Sequence, residues 1–120
     1  MKEYSIGDSE LEVMEFIWDT APITSGELSA ICEQKHGWKK TTVYTMLKRL
    51  EDKGFIKNEK TIIKFLIPRA EFKQHQSENM VKKSFKGSLP MFVNAFLGNR
   101  NLSKDDAAKL IEMIEEHTDK

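Results

Sequence analysis

The sequence predicts a mainly α-helical chain with one small β-hairpin, placed between an N-terminal and a C-terminal group of helices. Three observations lead there. Residues 38–54 carry apolar side chains at helical spacing, with Val43, Met46, Leu47 and Leu50 at i, i+3, i+4 and i+7. The pairs Ser9/Glu12 and Thr24/Glu27 match the S/T-x-x-E capping box and precede two further apolar-periodic stretches. Phe55-Ile56 and residues 62–67 are β-branched and aromatic runs around a polar Lys57-Asn58-Glu59-Lys60-Thr61.

The first helix is expected from about Ser9 to Asp19, capped by Asp8 or Ser9. Leu11, Met14 and Ile17 form its apolar face, with Val13 and Trp18 beside them. Ala21-Pro22 ends it, because a residue before proline disfavours the α region. The second helix begins at Thr24, buries Leu28, Ile31 and Cys32, and runs to about Lys35, with His36-Gly37 as the turn. The third spans 40–53, and Gly54 is placed to serve as its C′ residue. The hairpin follows and Pro68 stops it. Two helices joined by a short turn, then a hairpin, make a winged helix-turn-helix over residues 1–68.

Residues 69–120 read as helical. Residues 69–86 are polar with sparse apolar positions. Residues 88–97 form a short helix that tolerates Pro90 near its first turn. Ser103 and Asp106 cap a last helix striped by Leu110, Ile111, Met113 and Ile114. Phe85, Leu89, Phe92, Val93, Phe96, Leu97, Leu110, Ile111 and Ile114 are too apolar to stay in water on helices too thin to cover them. A symmetric dimer would bury them; folding back on the winged helix of the same chain is the other route.

Charge is balanced overall, with 19 basic and 19 acidic residues, yet it is partitioned. Residues 8–33 hold seven carboxylates and no Lys or Arg. Residues 35–64 hold nine Lys and Arg against three acids, a net of +6. Such a local basic zone collects phosphates. On the third helix Thr41, Thr45 and Lys48 point away from the apolar stripe, with Thr42, Tyr44 and Arg49 on its flanks. Lys39 and Lys40 sit at the helix start, where backbone N–H groups also favour a phosphate. A helix of this kind suits a DNA major groove. Lys57, Lys60 and Lys64 would supply the wing contacts. The bland alternative for the same pattern is a solvated surface helix.

No apolar run approaches the roughly 18 residues of a membrane span, so no membrane insertion is expected. The first ten residues lack the apolar core of a signal peptide. The single Cys32 fits a reducing cytoplasm, and its place on an apolar helix face reads as structural. His36, His75 and His117 lack metal-ligand spacing, and no metal or cofactor is expected. Trp18 and Trp38 fall where helix packing wants bulk. No nucleophile elbow, phosphate loop or zincin motif occurs, so the sequence is not read as an enzyme.

D-S-E-L-E-V-M-E-F-I-W at 8–18 and the W-x(3)-T-V-x-T-x-L-x-R-L-x-x-K-G-F-I pattern from Trp38 to Ile56 resemble the penicillinase-repressor family of BlaI, MecI and CopY. The likeness extends to L-S-x-D-x-x-x-x-L from Leu102 to Leu110. The resemblance implies a cytoplasmic, dimeric bacterial repressor that binds double-stranded inverted-repeat operator DNA and dimerises through its C-terminal helices. Family members often carry Lys or Arg where Thr41 and Tyr44 stand here, and Gly-Arg at the wing tip. Copper-responsive members carry paired C-x-C motifs, which this chain lacks. β-Lactam-responsive members are cleaved at an Asn-Phe bond under the control of a membrane sensor protease. By alignment from Leu102-Ser103 that bond falls at Ala95-Phe96, with Asn94 one place early. Two other readings stand beside the repressor: a winged helix used for protein–protein contact, and an effector-binding regulator.

Overall fold

The computed structural model describes residues 6–119. Its elements are α1 (Asp8–Thr20), β1 (Ile23–Thr24), α2 (Ser25–His36), α3 (Lys40–Asp52), β2 (Ile56–Glu59), β3 (Ile62–Phe65), α4 (Arg69–Phe85), α5 (Leu89–Leu97) and α6 (Lys104–Glu116). The chain divides into two compact units, one through Asn79 and one from Met80 onward.

The first unit contains a winged helix and, beyond it, the first part of α4. Val13, Met14 and Ile17 of α1, Leu28 and Cys32 of α2, and Val43, Met46, Leu47 and Leu50 of α3 enclose a single core. Phe55, Ile56, Ile63 and Ile67 close it from the hairpin side, and Phe72 from the second turn of α4. Burial of these faces, more than helical propensity, holds helices of 12 and 13 residues together.

Local signals act as the sequence suggests in several places. Thr24 caps α2 by accepting from the Glu27 N–H at 3.1 Å, and its hydroxyl donates to the Glu27 carboxylate at 2.8 Å. Ala21 leaves α1 with extended backbone, as a residue before proline should. Gly54 takes φ +83° beyond α3. The Phe55 N–H reaches the Leu50 carbonyl and the Gly54 N–H the Glu51 carbonyl, which makes a Schellman cap. Ser88 and Ser103 cap α5 and α6 through the N–H groups of Met91 and Asp106.

Four details depart from expectation. The Ser9/Glu12 capping box does not form, because the helix starts one residue early. Gly7 is the N-cap and no side chain caps it, while Glu12 turns to His36 instead. Ile31 is only partly buried. The second hairpin strand ends at Phe65, although the Leu66 N–H still reaches the Phe55 carbonyl. Finally, the hairpin is the larger part of a three-stranded antiparallel sheet in the order β1-β3-β2, with Ile23 opposite Ile63 and Ile63 opposite Asn58. Two residues are too few to show a period of two, and β1 exists only because β3 lies beside it.

The second unit has a different character. No residue of α5 or α6 is buried. Leu89, Val93, Phe96, Leu110, Ile111 and Ile114 are exposed, and Phe85, Phe92 and Leu97 are half-buried.

Candidate nucleic-acid interface

Helix α3 hides its apolar stripe fully and presents the rest. Thr41, Thr42, Thr45, Lys48 and Arg49 are exposed, and Tyr44 is exposed on the flank toward the wing. Lys40 lies 5.5 Å from the Tyr44 ring centroid, a cation–π approach that settles the ring beside the helix start. The Thr45 hydroxyl donates to the Thr41 carbonyl at 3.0 Å. What Thr45 offers outward is therefore its methyl group and an accepting oxygen. Lys39 is the N-cap; no side chain caps this helix and its first turn holds no acid. That leaves a positive helix end beside Lys39 and Lys40.

One of the basic candidates, Arg49, leans away from the outer face. Arg49 approaches Glu10 at 3.8 Å, and Lys53 meets the same carboxylate at 3.0 Å. The Glu10 side chain is only 10% exposed, so this carboxylate ties α1 to the C-terminal half of α3. Lys48 pairs with Asp52 one turn on at 3.3 Å, but both stay well exposed, and such a pair exchanges readily with a phosphate.

The wing stands on the other side of α3. Lys57 and Lys64 face each other across the two strands. Lys57 lies 2.8 Å from Glu59. That hydrogen bond, and the charge behind it, raises the Lys57 pKa and lowers that of Glu59. Lys60 is at the tip, in a two-residue turn with positive φ at both Lys60 and Thr61. The wing is anchored near its tip: Asn58 donates its N–H to Glu51 at 3.2 Å, and Ser25 its N–H to the Thr61 carbonyl at 2.8 Å. Tyr44, Leu47, Lys48, Glu51, Asn58, Thr61 and Ser25 line the hollow between α3 and the wing.

The structure thus brings Lys39, Lys40, Thr41, Thr42, Tyr44, Thr45 and Lys48 onto one helix surface, with Lys57, Lys60 and Lys64 on the neighbouring wing. Glu10 and Glu51, which fix these elements in place, carry no sequence signal, since each contact joins residues of different elements. The two tryptophans are packing residues. Trp18 donates its indole N–H to the Ile67 carbonyl at 2.9 Å, and Trp38 stacks on His36 at 4.2 Å. His36 also meets Glu12 at 2.7 Å. Cys32 is wholly buried, and burial pushes its thiol pKa up. Among the described residues no group of three His, Cys, Asp or Glu could hold a metal, and no helix is long and apolar enough to cross a membrane.

The penicillinase repressor family profile matches residues 6–116 of the sequence. The chain belongs to the penicillinase repressor family. The penicillinase repressor of Bacillus licheniformis is 31% identical over 116 residues, which cover 93% of this chain and 91% of that protein. The methicillin resistance regulatory protein MecI of Staphylococcus aureus is 28% identical, covering 94% of this chain and 95% of its own. Among solved structures, the DNA-binding domain of the repressor BlaI superposes with a TM-score of 0.54 at 32% identity. It accounts for 59% of this chain and 93% of that domain. Within this family, the present chain has Thr41 and Tyr44 on the outer surface of α3 and Lys60-Thr61 at the wing tip.

Proposed function

We propose that this chain, by family a DNA-binding transcriptional repressor and not an enzyme, works in the cytoplasm as a homodimer on an inverted-repeat operator. Each subunit lays α3, with the 40–53 segment, in one major groove and its wing on the flanking backbone. The observation that carries the reading is the outer surface of α3: polar hydroxyls and a phenol in a row, bracketed by lysines, over a fully buried stripe. Thr41, Thr42, Tyr44 and Thr45 read base edges and thymine methyls. Lys39, Lys40, Lys48, Lys57, Lys60 and Lys64 neutralise phosphates, and Arg49 joins them when it leaves Glu10. The helices from 69 to 120 supply the dimer. Phe85, Phe92 and Phe96 form a ring-on-ring row, with centroids 5.4 and 6.2 Å apart, beside exposed Leu89, Val93 and Leu110. Leu97 lines one hollow with Phe92, Phe96 and Leu110, and a second copy would cover it together with exposed Ile111 and Ile114.

Relief of repression by a membrane sensor protease would act at Ala95-Phe96. That bond lies inside α5, so the helix must open before a protease can reach it. Cleavage there would split the apolar row and with it the dimer.

The test is an electrophoretic shift on the chain's own promoter across salt concentrations, paired with light scattering. A DNA-binding dimer loses affinity linearly in log[salt], with a slope of about −0.9 per phosphate contact. Phe92→Asp with Phe96→Asp should give monomers that stay folded but lose operator binding, since an unpaired carboxylate in an interface costs several kcal/mol. A salt-independent association would favour the protein-contact reading, and a double variant that stays dimeric would move the interface to α6.

A further inference from the structure

The wing reaches past the core that supports it. Each strand of the hairpin has four residues and buries one, Ile56 in β2 and Ile63 in β3. Ile63 stands opposite Asn58, and residues 59–62 beyond that rung are all exposed. Burial therefore does not place the tip; directed bonds do. On the β3 side, Thr24 pairs with Ile62 and Ser25 donates its N–H to the Thr61 carbonyl at 2.8 Å. Strand β2 is the edge of the sheet, and there the Asn58 N–H donates to Glu51 Oε2 at 3.2 Å.

Glu51 belongs to α3. It follows Lys48, Leu47 and Tyr44 at helical spacing, so the four side chains line one stripe of the helix, facing the wing across the hollow. The bond to Asn58 thus refers the wing to the same helix that carries Tyr44 and Lys48. Residues 35–64 hold three acids, and two of them sit against lysines: Asp52 with Lys48 at 3.3 Å and Glu59 with Lys57 at 2.8 Å. Glu51 instead turns its carboxylate to a backbone N–H. Such a bond is charge-assisted, and it depends on where β2 lies, not on which side chain β2 carries. The charge of Glu51 repels phosphates and by itself weakens DNA binding. The place it gives the wing acts in the other direction.

We propose that Glu51 is a positioning residue for DNA binding: by holding the edge of β2 against α3, it places Lys60 on the phosphates beside the groove that α3 occupies. The inference rests on the reading above, in which α3 enters the groove and the wing lies on the flanking backbone. Lys57 precedes Asn58 and Lys60 follows it by two, so both move with the held segment. Released at Asn58, the tip hangs on the β3 bonds alone and takes up several heights. A wing that must be ordered on binding returns less affinity than one already in place.

The experiment uses the full chain and a duplex that the wild-type chain selects from a random library, titrated across salt concentrations. Glu51→Ala removes both the acceptor and the charge. Glu51→Gln removes the charge and keeps an acceptor at the same reach. Electrostatics alone would tighten binding in both. Glu51→Ala should instead bind about threefold or more weaker than the wild type, with a salt slope about one unit flatter. Glu51→Gln should bind at least as tightly as the wild type. Lys60→Ala supplies the readout that a merely structural role would not move. It should flatten the slope by about one unit in the wild type and in Glu51→Gln, but by about a third of that or less in Glu51→Ala, where the wing contact is already lost. The residue-51 carbonyl still accepts the Gly54 N–H in either variant, and alanine favours a helix, so the winged helix should keep its thermal transition by circular dichroism. Glu51→Ala binding as tightly as Glu51→Gln overturns this inference alone. So does equal weakening in both, since Gln keeps the acceptor, and so does a full Lys60 effect in the Glu51→Ala background. Loss of fold in Glu51→Ala overturns it as well, because the side chain would then support the winged helix itself. A Lys60→Ala slope unchanged from wild type overturns the placing of the wing on DNA and this inference with it.

Discussion

Thr61→Gly should stabilise the winged helix, although it removes a side chain from a strand turn. Lys60 and Thr61 are the two loop residues between Glu59 and Ile62, which pair across the strands. Their φ values are +50° and +70°, the sign required at both central positions of a type I′ hairpin. A Cβ in the left-handed region costs roughly 1–2 kcal/mol. Glycine removes that cost, but it widens the unfolded ensemble by about 0.5–1 kcal/mol. The difference favours the variant by about 0.5–1 kcal/mol. Nothing else of weight is lost, since the Thr61 side chain is exposed and the bond from Ser25 goes to its backbone carbonyl. For a unit of this size the gain corresponds to about 2–8 °C in Tm. Thermal unfolding followed by circular dichroism measures it, and a urea midpoint raised at unchanged slope shows that the folded state is responsible. DNA affinity should not change, because Lys60 is kept. A lower Tm would refute the reasoning, since the turn would then hold no strain for glycine to relieve.

Other substitutions separate the roles of helix and wing. Thr45→Ala should weaken specific binding by about 1–3 kcal/mol and leave non-specific binding nearly intact. Fold stability should hold or rise slightly, since alanine is the better helix former; equal losses on operator and random duplexes would remove Thr45 from the reading set. Lys60→Ala keeps the turn geometry and should lower affinity for all sequences alike, flattening the salt slope by about one unit in the same titrations. Cys32 should react with a thiol reagent near pH 8 about tenfold more slowly in the folded chain than in urea. Because burial raises its pKa, its contribution to stability is complete below the ordinary thiol value and is lost as pH rises through the folded one.

The sequence by itself determined the helices, their caps and the buried stripe of α3. These depend on neighbours three or four residues apart, and Thr24, Gly54, Ser88 and Ser103 act within that range. The outer surface of α3 was legible for the same reason, because once Val43, Met46, Leu47 and Leu50 are known to be inside, helical geometry places Thr41, Thr45 and Lys48 outside. The Ser9 box failed although its motif is local. A cap depends on where the helix begins, and Gly7 already supplied that beginning. What the tertiary structure decided are the contacts between distant residues. Strand β1 exists only beside β3. Glu10 is a surface acid in any window of the sequence, and only the approach of α3 makes it a nearly buried anchor for Arg49 and Lys53. The grip of Glu15 and Asp19 on Arg69 spans about fifty residues of chain. Local periodicity says which face of a helix is buried; which partner meets that face is settled by packing, and the orientation of every element follows from it.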